Sequence, residues 1–159
     1  MATALLDVAA GHGVHVKDLL EAESELVAER NRLLVALRAA KVKVPRLLEV
    51  STGLSRTTVF EAAPKDVYTV ADPSTDVDRD KRRLGEITRE LVDLRTERAE
   101  VEELRDRAII DAYDAGLFTL RASDGGVESV EDFAHRAGVV SQRVYQILEK
   151  AGRAAGGRS

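Results

Sequence analysis

One pattern occurs twice in this chain and limits its fold more than any other feature. The first copy is Gly53-Leu54-Ser55-Arg56-Thr57-Thr58-Val59-Phe60, and the second is Gly138-Val139-Val140-Ser141-Gln142-Arg143-Val144-Tyr145. In each, a Gly opens a tight turn and an aliphatic residue follows it. A Ser then starts a short helix, and a β-branched residue six places after the Gly points into a core. Gly suits the turn because it adopts a left-handed backbone without steric cost. The pattern therefore predicts a short helix on each side of each Gly.

The chain has 159 residues, enough for one ordinary domain or two small ones. Leu, Val and Ala supply most of the apolar material, Trp is absent and there are only three Pro, a composition that suits small helical bundles. With no Cys there is no disulfide, no thiolate zinc site and no thiol chemistry, which fits a cytosolic protein. No secretory leader pattern is expected at the N-terminus, and no apolar run approaches membrane-spanning length.

Helical periodicity runs from about Val16 to Val42, where Leu19, Leu26, Leu33 and Ala40 recur every seven residues. Residues 1–15 read as an N-terminal extension, interrupted by Gly11 and Gly13, that either forms a short helix over Ala2 to Ala10 or frays. Pro45 suits the start of a short helix that ends near Ser51. A second short helix runs from Ser55 to Ala63 and stops at Pro64. Residues 65–75 read as a linker, with weak strand propensity at Val67-Tyr68-Thr69-Val70. From Asp76 to Ala115 a second long helix carries Leu84, Ile87, Leu91, Leu94 and Val101 as a heptad seam, broken by Arg98 and Arg105.

Gly116 stops that helix. Leu117 to Gly126 is an insertion that can form a short strand or fold back on the core, with Asp124-Gly125-Gly126 as a turn. Ser129 and Asp132 resemble a capping box for a helix over 130–136. A last helix spans 141–151, and the end of the chain, 153–159, is a tail.

The likeness between the halves extends past the turns. The stretch from Arg30 to Leu37 lines up with Arg105 to Ala112, and the 117–126 insertion absorbs the change in offset. Each half is thus a long helix, a connector and two short helices, giving an expected pair of units at 16–64 and 76–152. With the turn residues, each half resembles the three-helix helix-turn-helix domain of sigma factor region 4, resolvase tails and many phage and actinobacterial regulators. The best match is Leu48 to Phe60. Four places before the Gly, where that family has a small residue, the second copy has Ala134 and the first has Glu49. The resemblance implies an all-α fold of two tandem helix-turn-helix modules with long heptad-bearing helices. It also implies a recognition helix entering the major groove of duplex DNA.

On that reading Ser55 and Ser141 cap the recognition helices and donate to phosphate. Arg56 and Thr57 in the first unit, and Gln142, Arg143 and Gln146 in the second, meet base edges, since Arg can bond guanine and Gln adenine. Thr58 contacts phosphate or packs on the turn. Arg46, Lys41 and Lys43 hold the DNA backbone, and Lys150 is a further phosphate candidate. Val59, Phe60, Val144, Ile147 and Leu148 face the core.

The formal net charge of −4 opposes DNA binding. The cations nevertheless cluster around the first turn, while most of the surplus acid lies between Asp72 and Asp106. Screening over about 8–10 Å lets the local field decide.

No cofactor is implied. His12 and His15, three apart, could share a metal on one helical turn, but Gly11 and Gly13 argue against a stable turn there and no carboxylate cluster has ligand spacing, so no metal is expected. No catalytic constellation or phosphate-binding Gly loop appears, so an enzyme is not expected. The function expected is sequence-preferring DNA binding, in transcriptional control or a phage or plasmid DNA transaction, by a nucleoid-associated cytoplasmic protein that self-associates through its long helices. The alternatives are a protein-interaction adaptor built on those helices and an architectural protein that bridges DNA without sequence choice.

Overall fold

The structure is a computed structural model that describes residues 2–51, 53–64, 72–120 and 127–153. It is mostly helical. The described elements are α1 (Ala2–Ala39), α2 (Val44–Val50), α3 (Arg56–Ala62), α4 (Val77–Asp114), β1 (Phe118–Thr119), β2 (Glu128–Ser129), α5 (Val130–Arg136) and α6 (Ser141–Lys150). The strands β1 and β2 pair in parallel, Phe118 opposite Glu128 and Thr119 opposite Ser129. Among the described residues no helix is long and apolar enough to cross a membrane. The strand propensity at 67–70 and the turn at 124–126 lie outside the described residues.

The long helices α1 and α4 each have 38 residues. Their buried positions recur at one constant offset: Ala9 with Leu84, Val16 with Leu91, Leu34 with Ile109, and Leu37 with Ala112. The expected extension over 1–15 is instead the start of α1, which runs unbroken through Gly11 and Gly13. Ala9 is fully buried there and Leu6 packs against the same core, so this segment is held by apolar burial. The other end of α1 stops at Ala39 rather than Val42. Lys41 takes a left-handed backbone (φ 67°), and the Val42 amide donates to the Leu37 carbonyl at 3.0 Å, closing the helix.

The chain packs as two compact units, one continuous in sequence and one assembled from both ends of the chain. One is Leu20–Glu97; the other joins Met1–Leu19 to Arg98–Ser159. The division falls inside both long helices, after Leu19 in α1 and after Glu97 in α4, and not at the bounds expected for 16–64 and 76–152. Each unit takes the first part of one long helix, the last part of the other, and one pair of short helices. The reason lies in the seam, which is buried within the units along much of both helices rather than only beside its own turn motif.

In the 20–97 unit, Leu34, Leu37, Val44, Leu47, Val59 and Leu84 form the core. Thr88, also buried, donates its hydroxyl to the Gly85 carbonyl at 3.0 Å. Arg83 on α4 donates to both carboxylate oxygens of Glu29 on α1, at 2.8 and 3.0 Å, and reaches Glu90 at 3.0 Å. The hydrogen bonds from Arg83 hold the Glu29 carboxyl below the usual carboxylate range.

Gly85 lies where α4 crosses the end of α2; a Cβ there would sit 2.6 Å from the Val50 carbonyl oxygen. The sequence alone reads Gly85 as a weak point costing roughly 1 kcal/mol relative to Ala. The structure shows that it permits a close helix crossing.

The other unit is centred on Phe133, fully buried and stacked on Phe118 with ring centroids 4.0 Å apart. Tyr113 packs against Phe118 at 5.6 Å, and Ile109, Val130, Val144 and Leu148 complete the core. Phe118 thus combines the two roles expected of the 117–126 insertion, a strand position and a core residue. Gly13 of α1 lies against the α5–α6 turn, where a Cβ would meet the Ala137 carbonyl oxygen and approach Gly138. Arg105, which breaks the seam in the sequence, is buried and bonded to Asp106 at 3.0 Å.

Of the expected heptad positions, Leu19, Leu84, Ile87, Leu91 and Val101 are buried within the single chain, while Leu26, Leu33, Ala40 and Leu94 are partly exposed. The buried members are spent on intramolecular packing.

Candidate nucleic-acid interface

Both turn motifs place a short helix after a glycine with a left-handed backbone, φ 84° at Gly53 and 67° at Gly138. The two turns differ in length. Five residues separate α2 from α3 and four separate α5 from α6. Counting back from the glycine therefore pairs Ala134 with Glu49, but position within the helices pairs it with Leu48. Ala134 is buried and Leu48 packs on its own core, while Glu49 lies at the surface bonded to Arg46. The first copy thus keeps a core residue where the sequence comparison finds an acid.

Ser55 caps α3 as expected, its Oγ accepting from the Thr58 amide at 3.1 Å. Thr58 is held there, its hydroxyl 2.9 Å from that of Ser55, so it braces the cap. We expect Ser55→Ala to cost about 1 kcal/mol, the ordinary value of such a cap, read as a lower midpoint in denaturant. An unchanged midpoint would show that the cap is dispensable.

The expected cap at Ser141 is not found. Val140 occupies that position and supplies no side-chain bond; Ser141 is the first helical residue. Both helices start three residues after their Gly, and the position two after it is Ser55 in the first copy but Val140 in the second. Gln142 and Arg143 consequently match Thr57 and Thr58, and Gln146 matches Glu61.

On α3, Arg56 and Thr57 are exposed while Val59 is fully buried. Phe60 is half-buried, with the Arg38 guanidinium 6.0 Å above its ring. On α6, Val144, Ile147 and Leu148 face the core and Gln142, Arg143 and Gln146 face outward. Those three line an open concavity of about 330 Å³ together with Val139 and Val140. Sequence reasoning missed Val140, whose side chain is 70% exposed at the mouth of this concavity. Its exposure could have been read from its place just before the helix.

Arg143 donates to Asp106 of α4 at 2.9 Å, and the same carboxylate bonds Arg105. The carboxylate engages one terminal nitrogen of Arg143, whose side chain is still 45% exposed. Arg46 is exposed and paired with Glu49 at 3.1 Å. Lys41 and Lys43 are exposed in the α1–α2 connection, and Lys150 is exposed in the last turn of α6. The described residues contain no group of three or more His, Asp or Glu that could hold a metal ion.

Compared with protein-family models, with curated proteins and with solved structures, the chain gives no match. The functional reading therefore rests on the two turn motifs and the side chains they present.

Proposed function

We propose that this chain is a duplex-DNA-binding protein of the nucleoid, acting in transcriptional control or a related DNA transaction. The pairs α2–α3 and α5–α6 serve as two helix-turn-helix readers. The observation that carries the reading is the sidedness of α6. One face is sealed into the core, and the other gathers Gln142, Arg143 and Gln146 around one concavity. Such a face offers amide and guanidinium donors of the kind that bond base edges. In the first unit Arg56 and Thr57 take the same part, with Lys41, Lys43 and Arg46 on phosphates. Self-association through the long helices is part of the proposal.

The test is a fluorescence-anisotropy titration with a mixed-sequence duplex across a salt series. Binding should weaken steeply as salt rises, because each phosphate contact releases counterions. Selection from random oligonucleotides should return a motif; binding without one would make the protein an architectural binder.

A second reading is favoured by one observation. Both turns are covered by a long helix, at Gly85 against Val50 and at Gly13 against Ala137. If the turns serve only as sockets for those helices, the protein is an interaction adaptor. It would then bind no duplex even at low salt.

A further inference from the structure

We infer that the DNA-contacting surface of the 20–97 unit extends onto α4, where Lys81, Arg82 and Arg89 form a phosphate-binding stripe. This rests on the DNA-binding reading above and adds three residues from the other half of the sequence.

The geometry begins with spacing. Arg82, Gly85, Arg89 and Val92 follow one another at intervals of three, four and three residues, so they share one face of α4. That face runs along the α2–α3 turn. At Gly85 it meets the Val50 carbonyl, and at Val92 a side-chain methyl lies 3.4 Å from where a Gly53 Cβ would be. Arg89 sits between these two fixed points, three residues before Val92. The helix carrying Arg56 starts three residues after Gly53. The stripe therefore borders the turn that aims the reading helix.

The charge balance supports a polyanion. Val50, Asp78, Lys81, Arg82, Gly85, Glu86 and Arg89 line one open groove of about 740 Å³. Its two acids are partly occupied. Glu86 accepts from Arg83 at 3.4 Å, and Asp78 lies in the first turn of α4, where the helix dipole favours an anion. Arg82 and Arg89 are exposed, and among the described residues neither they nor Lys81 form an ion pair. Nearby arginines on the same helix behave otherwise: Arg79, Arg83 and Arg95 are all bonded to carboxylates. In the other unit, the equivalent positions on α1 are Leu6, Asp7 and Val14, none of them cationic. The stripe is thus a property of one unit only.

The experiment compares the full-length protein with the triple variant Lys81→Gln, Arg82→Gln, Arg89→Gln, using the same labelled duplex and salt series. Each phosphate contact contributes about 0.9 to the slope of log affinity against log salt. The triple variant should flatten that slope by about 2–3, with its melting curve unchanged. A control, Lys17→Gln with Arg107→Gln, removes two cations of the other unit and should leave the slope intact. A wild-type slope in a folded triple variant overturns the stripe, as does equal flattening by the control. If the unmodified protein binds no duplex at all, the DNA-binding reading itself has failed, which is a different result.

Discussion

Gly13→Ala should destabilise the protein by about 1–3 kcal/mol, the usual range for overpacking, although Ala is the better helix former. Helix propensity alone predicts a gain of about 1 kcal/mol for Gly→Ala within a helix. The added methyl, however, would run into the Ala137 backbone carbonyl at the α5–α6 turn. A backbone carbonyl cannot swing aside as a side-chain end can, so the helix or the turn must move. Gly85→Ala should behave likewise, since its methyl would lie 2.6 Å from the Val50 carbonyl oxygen.

Gly11→Ala supplies the internal control. A methyl there meets nothing within 4 Å, so this variant should gain roughly 0.5–1 kcal/mol. Urea denaturation followed by circular dichroism reads all three. If Gly13→Ala proves as stable as Gly11→Ala, α1 does not sit against the α5–α6 turn, and the composition of that unit is wrong.

The second large effect is on DNA. Arg56→Ala combined with Arg143→Ala should lower affinity for the selected site by about 30-fold or more, since each bidentate base contact is worth about 1–3 kcal/mol. Arg143 is the more informative of the two because it already holds Asp106. If that ion pair were its whole role, Arg143→Ala would shift the melting curve and leave binding unchanged. If Asp106 instead aims the guanidinium at a base, binding falls and preference relaxes at one position of the selected motif. Loss of affinity spread evenly over all sequences would make Arg143 a backbone contact.

Much of the local structure was legible in the residues. The Gly turns, the cap at Ser55, the capping box in which Ser129 bonds the Asp132 amide, and the stop at Gly116 each depend on a few neighbouring atoms. The buried face of α6 follows from three- and four-residue spacing. The correspondence of Arg30–Leu37 with Arg105–Ala112 was also readable, and the matching burial of Leu34 with Ile109 and Leu37 with Ala112 shows its structural meaning. Less legible was the one-residue difference between the turns, which lies before the Gly and pairs Ala134 with Leu48. A turn's length is set by how its flanking helices pack, and the Gly alone does not reveal it.

The sequence by itself determined the helices, their caps and the face each buries, because those depend on contacts within a few residues. Only the tertiary structure decided which helices share a core. Burial rewards any apolar stripe that covers another, whatever its place in the chain, and here it divided both long helices between two units. That division explains why Gly13 and Gly85 are glycine, and it brings Lys81, Arg82 and Arg89 beside a turn whose sequence lies a long connection away.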